Sequence, residues 1–211
     1  MPLIFEATPD KGHGRLAVWK ISENEPDLLQ MLPPLEDSEV KLLSNISYQP
    51  RRLEWLASRV LIYRLTGLYP GTCYNHRGQP FITNCHDNLS ISHTRGYAAV
   101  SLSPDSPPGI DIERPSQRIE KVAGRFLNAS EKNFITDIEK EEQLGLIWCA
   151  KEAVFKKAGQ PGVIFKDHII ISPFTSMPDG KLSATLIGDG KETTIHLGYH
   201  NTPEYYLVWT L

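Results

Sequence analysis

Apolar residues recur at helical spacing in two long stretches of the chain and alternate with polar ones in several shorter stretches. In Arg51–Thr66, Leu53, Leu56, Val60 and Tyr63 fall three and four apart, which predicts a helix with one buried stripe closed by Gly67. Trp148–Lys157 predicts a second helix, since Ala150, Glu152, Ala153, Phe155 and the lysines favour it and Gly159 with Pro161 is a stop signal. A short helix is expected around Asp27–Met31, another over Arg118–Phe126, and Asn128-x-x-Glu131 reads as a capping box opening a helix through about Lys140. Period-two alternation or β-rich composition predicts strands at Arg15–Ile21, taken as the first, Asn88–His93, Gly96–Ser103, Ile110–Glu113, Asp167–Ser172 and Tyr205–Leu211. Turns are expected at Arg77-Gly-Gln-Pro80, Asp179-Gly180 and Gly188-Asp189-Gly190. The proline-rich run Ser103–Pro108 divides the pattern at mid-chain, giving an N-terminal lobe of residues 1–105 and a C-terminal lobe of residues 106–211.

Composition narrows the class. With 40% hydrophobic and 22% charged residues over 211 positions, the chain has the make-up of a soluble globular protein rather than a disordered one. Residues 1–10 carry no basic region followed by an apolar core, and no run of about 18 apolar residues occurs, so a cytoplasmic protein without a membrane partner is expected. Cys73, Cys85 and Cys149 are odd in number and form no C-x-x-C, which argues against a disulfide framework or a zinc site. A net charge of −3 disfavours a surface that grips nucleic acid throughout. The average hides one basic segment: Arg51 to Arg95 holds six arginines, no lysine, and only Glu54 and Asp87 as acids.

The candidate chemistry lies in two places. In Ile110-Asp111-Ile112-Glu113 the alternation of a strand puts both carboxylates on one face and both isoleucines in the core. Glu152 and Lys156, four apart on a helix, share a face; taken alone they are an exposed ion pair contributing about 0.2–0.5 kcal/mol. Bringing all three acids together would need a cation, because clustered carboxylates repel. In the basic segment Arg52 and Arg59 stand two helical turns apart on one face, a spacing suited to a ligand with several phosphates or simply to solvated charge. His93, between Ser92 and Thr94, is either an anion donor or a structural histidine at a strand end. The halves also overlay weakly, Trp55-x-Ala57-x-Arg59 with Gly67 against Trp148-x-Ala150-x-Glu152 with Gly159, which suggests a duplication placing Arg59 opposite Glu152.

Gly109-Ile-Asp-Ile-Glu113 followed by Trp148-Cys-Ala-Lys-Glu-Ala-Val-Phe-Lys156 resembles the signature pair of the 4'-phosphopantetheinyl transferase superfamily, a G-[IV]-D strand and then [FW]-[SCT]-x-K-E-[AS]-x-x-K. Asn88–Thr94 and Arg51–Arg59 resemble the histidine motif and basic helix of its larger, two-lobed, surfactin-synthetase-activating (Sfp) type. The resemblance implies an α+β fold of two similar lobes related by pseudo-twofold symmetry, each a small, mainly antiparallel sheet packed on a long helix. It implies a monomeric enzyme that moves phosphopantetheine from coenzyme A to a serine of an apo acyl, peptidyl or aryl carrier protein with magnesium, releasing 3',5'-ADP, as a holo-acyl-carrier-protein synthase does. By the same resemblance Asp111, Glu113 and Glu152 are the magnesium ligands. Glu152 or a water it orients is then the base, and Lys156 meets the diphosphate and neutralises the leaving group. His93 with Ser92 would hold the 3'-phosphate, and Arg51 or Arg52, then Arg59 and Arg77, the other anionic groups of coenzyme A. Gln79 stands where the family often has lysine, and Gly159-Gln-Pro-Gly162 replaces the usual Gly-x-Gly. The alternative within this fold is a non-catalytic module binding coenzyme A or a carrier protein.

Overall fold

The computed structural model describes residues 2–9, 12–69, 71–83, 85–188 and 190–211. The chain divides into two compact units, Met1–Pro107 and Pro108–Leu211. Every strand pair described in either unit is antiparallel, so the fold is mixed α+β with antiparallel sheets.

The first unit runs β1 (Leu3–Ala7), β2 (Arg15–Lys20), α1 (Glu25–Gln30), α2 (Asp37–Ser44), α3 (Gln49–Thr66), β3 (Thr72–Tyr74), β4 (Pro80–Ile82), β5 (Asn88–Thr94) and β6 (Tyr97–Ser103). Its main sheet has the order β1-β2-β6-β5, and β3 and β4 form a separate hairpin around the turn at Arg77 and Gly78. Arg15–Ile21 is therefore the second strand, since Leu3–Ala7 pairs outside it. The long helix α3 starts with Pro50 in its first turn and ends on Gly67 in the left-handed region, φ 70°. It is buried on more than the stripe of its apolar spacing: every residue from Trp55 to Ile62 is inside, Ser58 and Arg59 included.

The second unit runs β7 (Ile110–Glu113), α4 (Gln117–Phe126), α5 (Ala129–Phe134), α6 (Lys140–Ala158), α7 (Phe165–His168), β8 (Ile169–Ile171), β9 (Asp179–Gly188), β10 (Lys191–Asn201) and β11 (Tyr206–Thr210), with sheet order β7-β11-β10-β9-β8. Leu146, Ile147, Ala150, Ala153 and Val154 of α6 pack with Ile169, Leu182, Leu197 and Val208 of the sheet into one core. Both units are built alike, because in each the first strand of the α-helical segment pairs with the last strand of the unit, which pairs with the penultimate one: β2-β6-β5 and β7-β11-β10.

Four expectations change. The capping box of Asn128 and Glu131 is present, with both reciprocal bonds, yet the helix it opens ends at Phe134. β-branched Ile135 and Thr136 leave the helix there, and the side chain of the buried Gln143 takes up the Thr136 amide at 2.9 Å. The helix around Trp148 gains two turns and begins at Lys140. Asp179-Gly180 opens β9 instead of a turn; Gly180 lies under Tyr199 of β10, whose ring atoms would stand 2.5 Å from any Cβ added there. The turn expected at 188–190 joins β9 to β10, with Asp189 outside the described residues and Gly190 at φ 70°. Four residues before β8, expected as part of that strand or as loop, form the short helix α7.

The order of helices in the two units overlays in a clearer register than the tryptophans do. Helix starts recur 92 residues apart for α1 and α4 (25 and 117) and for α2 and α5 (37 and 129), and nearly so for α3 and α6 (49 and 140). The C-capping glycines keep the same interval, 67 and 159. In this register Arg59 faces position 151, not Glu152.

Candidate active site

The strand β7 alternates two fully buried isoleucines with the first two candidate acids, so Asp111 and Glu113 share the opposite face, with Asp111 buried and Glu113 half-buried. The strand is held hard against α6. A Cβ on Gly109 would come within 1.9 Å of the Ala153 carbonyl oxygen, and a Cβ on Gly145 within 2.2 Å of the Tyr206 ring of β11. The glycine of the G-I-D stretch thus exists for contact with the helix: only a residue without a side chain permits that approach. Its amide donates to Thr210 Oγ1 at 3.0 Å, which fixes the start of β7 to the end of β11.

That approach brings Lys156 to the strand. Its Nζ donates to the Ile110 carbonyl oxygen and to Asp111 Oδ1, each at 2.8 Å. Glu152 lies one turn earlier on α6. Burial pushes its pKa up to about 7, Asp111 and Glu113 push the same way, and Lys156 opposes them. The three carboxylates therefore feel one another across helix and strand. Cys149, fully buried beside them, has its thiol pushed well up by burial and by the charges of Asp111 and Glu113, which makes it an inert packing group and not a nucleophile.

Among the described residues no three His, Cys, Asp or Glu side chains form a group that could hold a metal ion by itself. The donor chemistry still suits a hard cation: the acids offer oxygen alone, and magnesium is commonly held by one or two carboxylates with water and substrate phosphate completing its shell. Burial is the first cause of the raised Glu152 pKa, and the neighbouring charges of Asp111 and Glu113 add to it; that second part is what a cation would offset.

In the first unit the structure gathers only part of the expected anion-binding set. The Arg51 guanidinium meets the His93 ring, and both lie near Glu54, at 3.5 Å and 3.4 Å. Burial raises the Glu54 pKa and Arg51 lowers it. Arg52 turns inward, where its Nε donates to Glu25 at 2.8 Å and its Nη1 to the carbonyls of Leu43 and Ile46. Arg59 is 1% exposed, stacked 3.8 Å over the Trp55 ring, with Glu39 at 3.9 Å and Tyr74 Oη at 3.3 Å. Neither stands on a solvated face toward a ligand, because each has been drawn into its own unit by a buried or half-buried glutamate. Ser92 is buried, and the alternation of β5 puts it on the opposite face from Leu89, Ile91 and His93. Arg77 stands exposed on the β3–β4 turn.

The apolar pattern missed two buried ion pairs. Lys151 and Glu131 are both 0% exposed and 2.9 Å apart, and Arg59 and Glu39 hold the matching places in the first unit. A signal was there: Lys151 falls on the same helical stripe as Leu144, Ile147 and Val154, where a lysine has no reason to be unless it is paired.

Residues 107–210 match the model of the 4'-phosphopantetheinyl transferase superfamily. The chain belongs to that superfamily. Its matched part is almost the whole of the second unit, with Asp111, Glu113, Glu152 and Lys156 inside it. The 4'-phosphopantetheinyl transferase AcpT of Salmonella typhimurium is 32% identical over 115 residues, 52% of this chain and 60% of the relative, and AcpT of Salmonella typhi matches to the same extent. The 4'-phosphopantetheinyl transferase HetI of a Nostoc species is 24% identical over 160 residues, 67% of this chain and 68% of the relative. The chain thus spans 60% of the length of the two Salmonella proteins. No helix among the described residues is long and apolar enough to cross a membrane.

Proposed function

We propose that the protein transfers the 4'-phosphopantetheine group of coenzyme A to a serine of an apo carrier protein, as a two-lobed transferase of the Sfp type. What carries this reading is the convergence of Glu152 and Lys156 on α6 with Asp111 and Glu113 on β7, inside the segment matched by the family. The pseudo-twofold relation of the lobes and a monomeric, cytoplasmic protein belong to the same proposal, and the free thiols Cys73, Cys85 and Cys149 agree with a reducing compartment.

In this mechanism Asp111, Glu113 and Glu152 would hold magnesium, with water and substrate phosphate completing its shell. When bound, it offsets the charge of the diphosphate during transfer. Glu152 takes the proton of the attacking serine directly or through a water it orients. The serine oxygen forms a bond to the phosphorus next to pantetheine as the bond from that phosphorus to the bridging oxygen breaks, and 3',5'-ADP leaves. Lys156, already placed against Asp111, is the cation nearest this group for the leaving phosphate. Arg51 and His93 take anionic groups of coenzyme A, and Arg77 is a third candidate; the inward-turned Arg52 and Arg59 are not.

The test is to mix the protein with an apo carrier protein, coenzyme A and magnesium and to weigh the carrier. A gain of one phosphopantetheine group that a chelator abolishes is expected. An unchanged mass across acyl, peptidyl and aryl carriers, with coenzyme A bound, would favour the non-catalytic module.

A further inference from the structure

The buried ammonium of Lys151 is held from four directions. Its Nζ donates to Phe126 O at the end of α4 (2.8 Å), Phe165 O at the start of α7 (3.0 Å) and Ile169 O at the start of β8 (2.6 Å), and pairs with Glu131 Oε1 of α5 (2.9 Å). Glu131 is equally fixed: Oε1 accepts the Ile171 amide of β8 at 2.8 Å and Oε2 the Asn128 amide of the capping box at 2.9 Å. These acceptors lie on four separate elements, α4, α5, α7 and β8, so they resist both rotation and sliding of α6. Moving the ammonium off would strip each of these oxygens of a partner and leave the buried Glu131 carboxylate without its counter-charge.

Lys151 precedes Glu152 directly and Lys156 by five residues. A helix is rigid over so short a span, so whatever sets the phase of α6 at Lys151 sets where Glu152 and Lys156 point. Side chains on a helix lie about 5–6 Å from its axis, and a rotation of roughly 10° would shift the Glu152 carboxylate by about 1 Å. Misplacement on that scale can reduce turnover about a hundredfold. We propose that Lys151 and Glu131 are positioning residues, a buried clamp that fixes the rotation of α6 and so aligns Glu152 and Lys156 with Asp111. The inference rests on the transferase reading for its kinetic consequence only; the alignment itself is a claim about this unit.

The first unit supports the mechanical part. Glu39 is the third residue of α2 as Glu131 is of α5, and Arg59 lies eight residues before its C-capping glycine as Lys151 does. Glu39 likewise accepts a strand amide, that of Thr72, at 3.3 Å, and Tyr69 Oη at 2.9 Å. The same acid at the same helical position thus anchors the long helix of each unit, at the same 92-residue interval (39 and 131, 59 and 151).

The experiment compares Lys151→Met, the charge-neutral double variant Glu131→Gln with Lys151→Met, and Leu146→Ala, a core change on the same helix that lowers the melting temperature by packing alone. Transfer rate is read beside unfolding temperature, and crystal structures of the folded variants give the distance from Lys156 Nζ to Asp111 Oδ1. Expected is a fall in kcat of about ten- to a hundredfold in the lysine variants, KM for coenzyme A little changed, and loss of the Lys156–Asp111 contact, while Leu146→Ala keeps both. Should Lys151→Met not fold, the double variant and Lys151→Arg, which keeps the charge but not the four-acceptor geometry, carry the comparison. A folded lysine variant that keeps kcat within twofold and retains the 2.8 Å contact overturns the proposal. If the unmutated protein transfers nothing, the transferase reading fails, and the contact in the variant structures still decides the clamp.

Discussion

The Lys156 ammonium sits 2.8 Å from Asp111 Oδ1, so the ion pair of this site runs from helix to strand. Lys156 is half-buried and Asp111 almost wholly so, in a place made by the missing side chain of Gly109. The lysine thereby holds the first acid of β7 in place and keeps its own charge beside the position proposed for the diphosphate.

Lys156→Ala is expected to leave the fold intact and lower kcat by about a hundred- to a thousandfold, the usual scale for losing one group that stabilises transition-state charge. Single-turnover transfer with saturating coenzyme A measures it. Near wild-type turnover in the pure variant would remove Lys156 from the mechanism.

Gly109→Ala should be far worse for the fold than an ordinary surface alanine. The added methyl group would meet the Ala153 carbonyl at 1.9 Å, and both are backbone or backbone-bound, so β7 must back away from α6. A loss of stability on the order of 3 kcal/mol, measured by urea unfolding, is expected together with loss of transfer. A variant as stable as the parent would mean the strand does not approach the helix as described.

Metal-free protein should lose stability as pH rises. The Glu152 carboxyl has its folded pKa raised from 4.5 to about 7, so the native state keeps a proton that the unfolded chain gives up near 4.5. The stability this supplies is fully present below about pH 4.5 and is lost as pH climbs through 7, on the order of 2 kcal/mol once partial exposure is discounted. Unfolding in chelator at pH 5 and pH 8 measures the difference, and Glu152→Gln should flatten it while abolishing most transfer. An unchanged slope in that variant would assign the effect elsewhere.

The two groups of arginines should separate by phenotype. Arg51→Ala and His93→Ala are expected to raise KM for coenzyme A about tenfold or more with little effect on melting temperature, since charge-assisted contacts to phosphate are of that strength. Arg59→Met should instead unfold readily and change KM little in whatever remains folded, because it strips Glu39 of its buried partner. Isothermal titration with coenzyme A and thermal melts of all three distinguish the cases.

Much of the fold could be read locally. The long helices announce themselves by propensity and by left-handed glycine caps at Gly67 and Gly159, and β7 by strict alternation of Ile110, Asp111, Ile112 and Glu113. These are properties of a few consecutive residues, and a chain of any topology would express them. Residue type and spacing marked Asp111 with Glu113 and Glu152 with Lys156 as two separate pairs, and the family resemblance joined them into one set.

What local pattern could not supply was partnership. Whether Arg59 faces a phosphate or an interior glutamate depends on Glu39, twenty residues earlier on another helix, and whether Asp179-Gly180 turns or extends depends on Tyr199 across a strand pair. The helix from Asn128 stops at Phe134 because Gln143, on the next helix, claims the Thr136 amide. Burial, which decides if a charge lies at the surface or clamps a core, is set by segments distant in the chain: the residue types were written in the sequence, and that Arg59 and Lys151 would be enclosed with Glu39 and Glu131 was decided only by the tertiary structure.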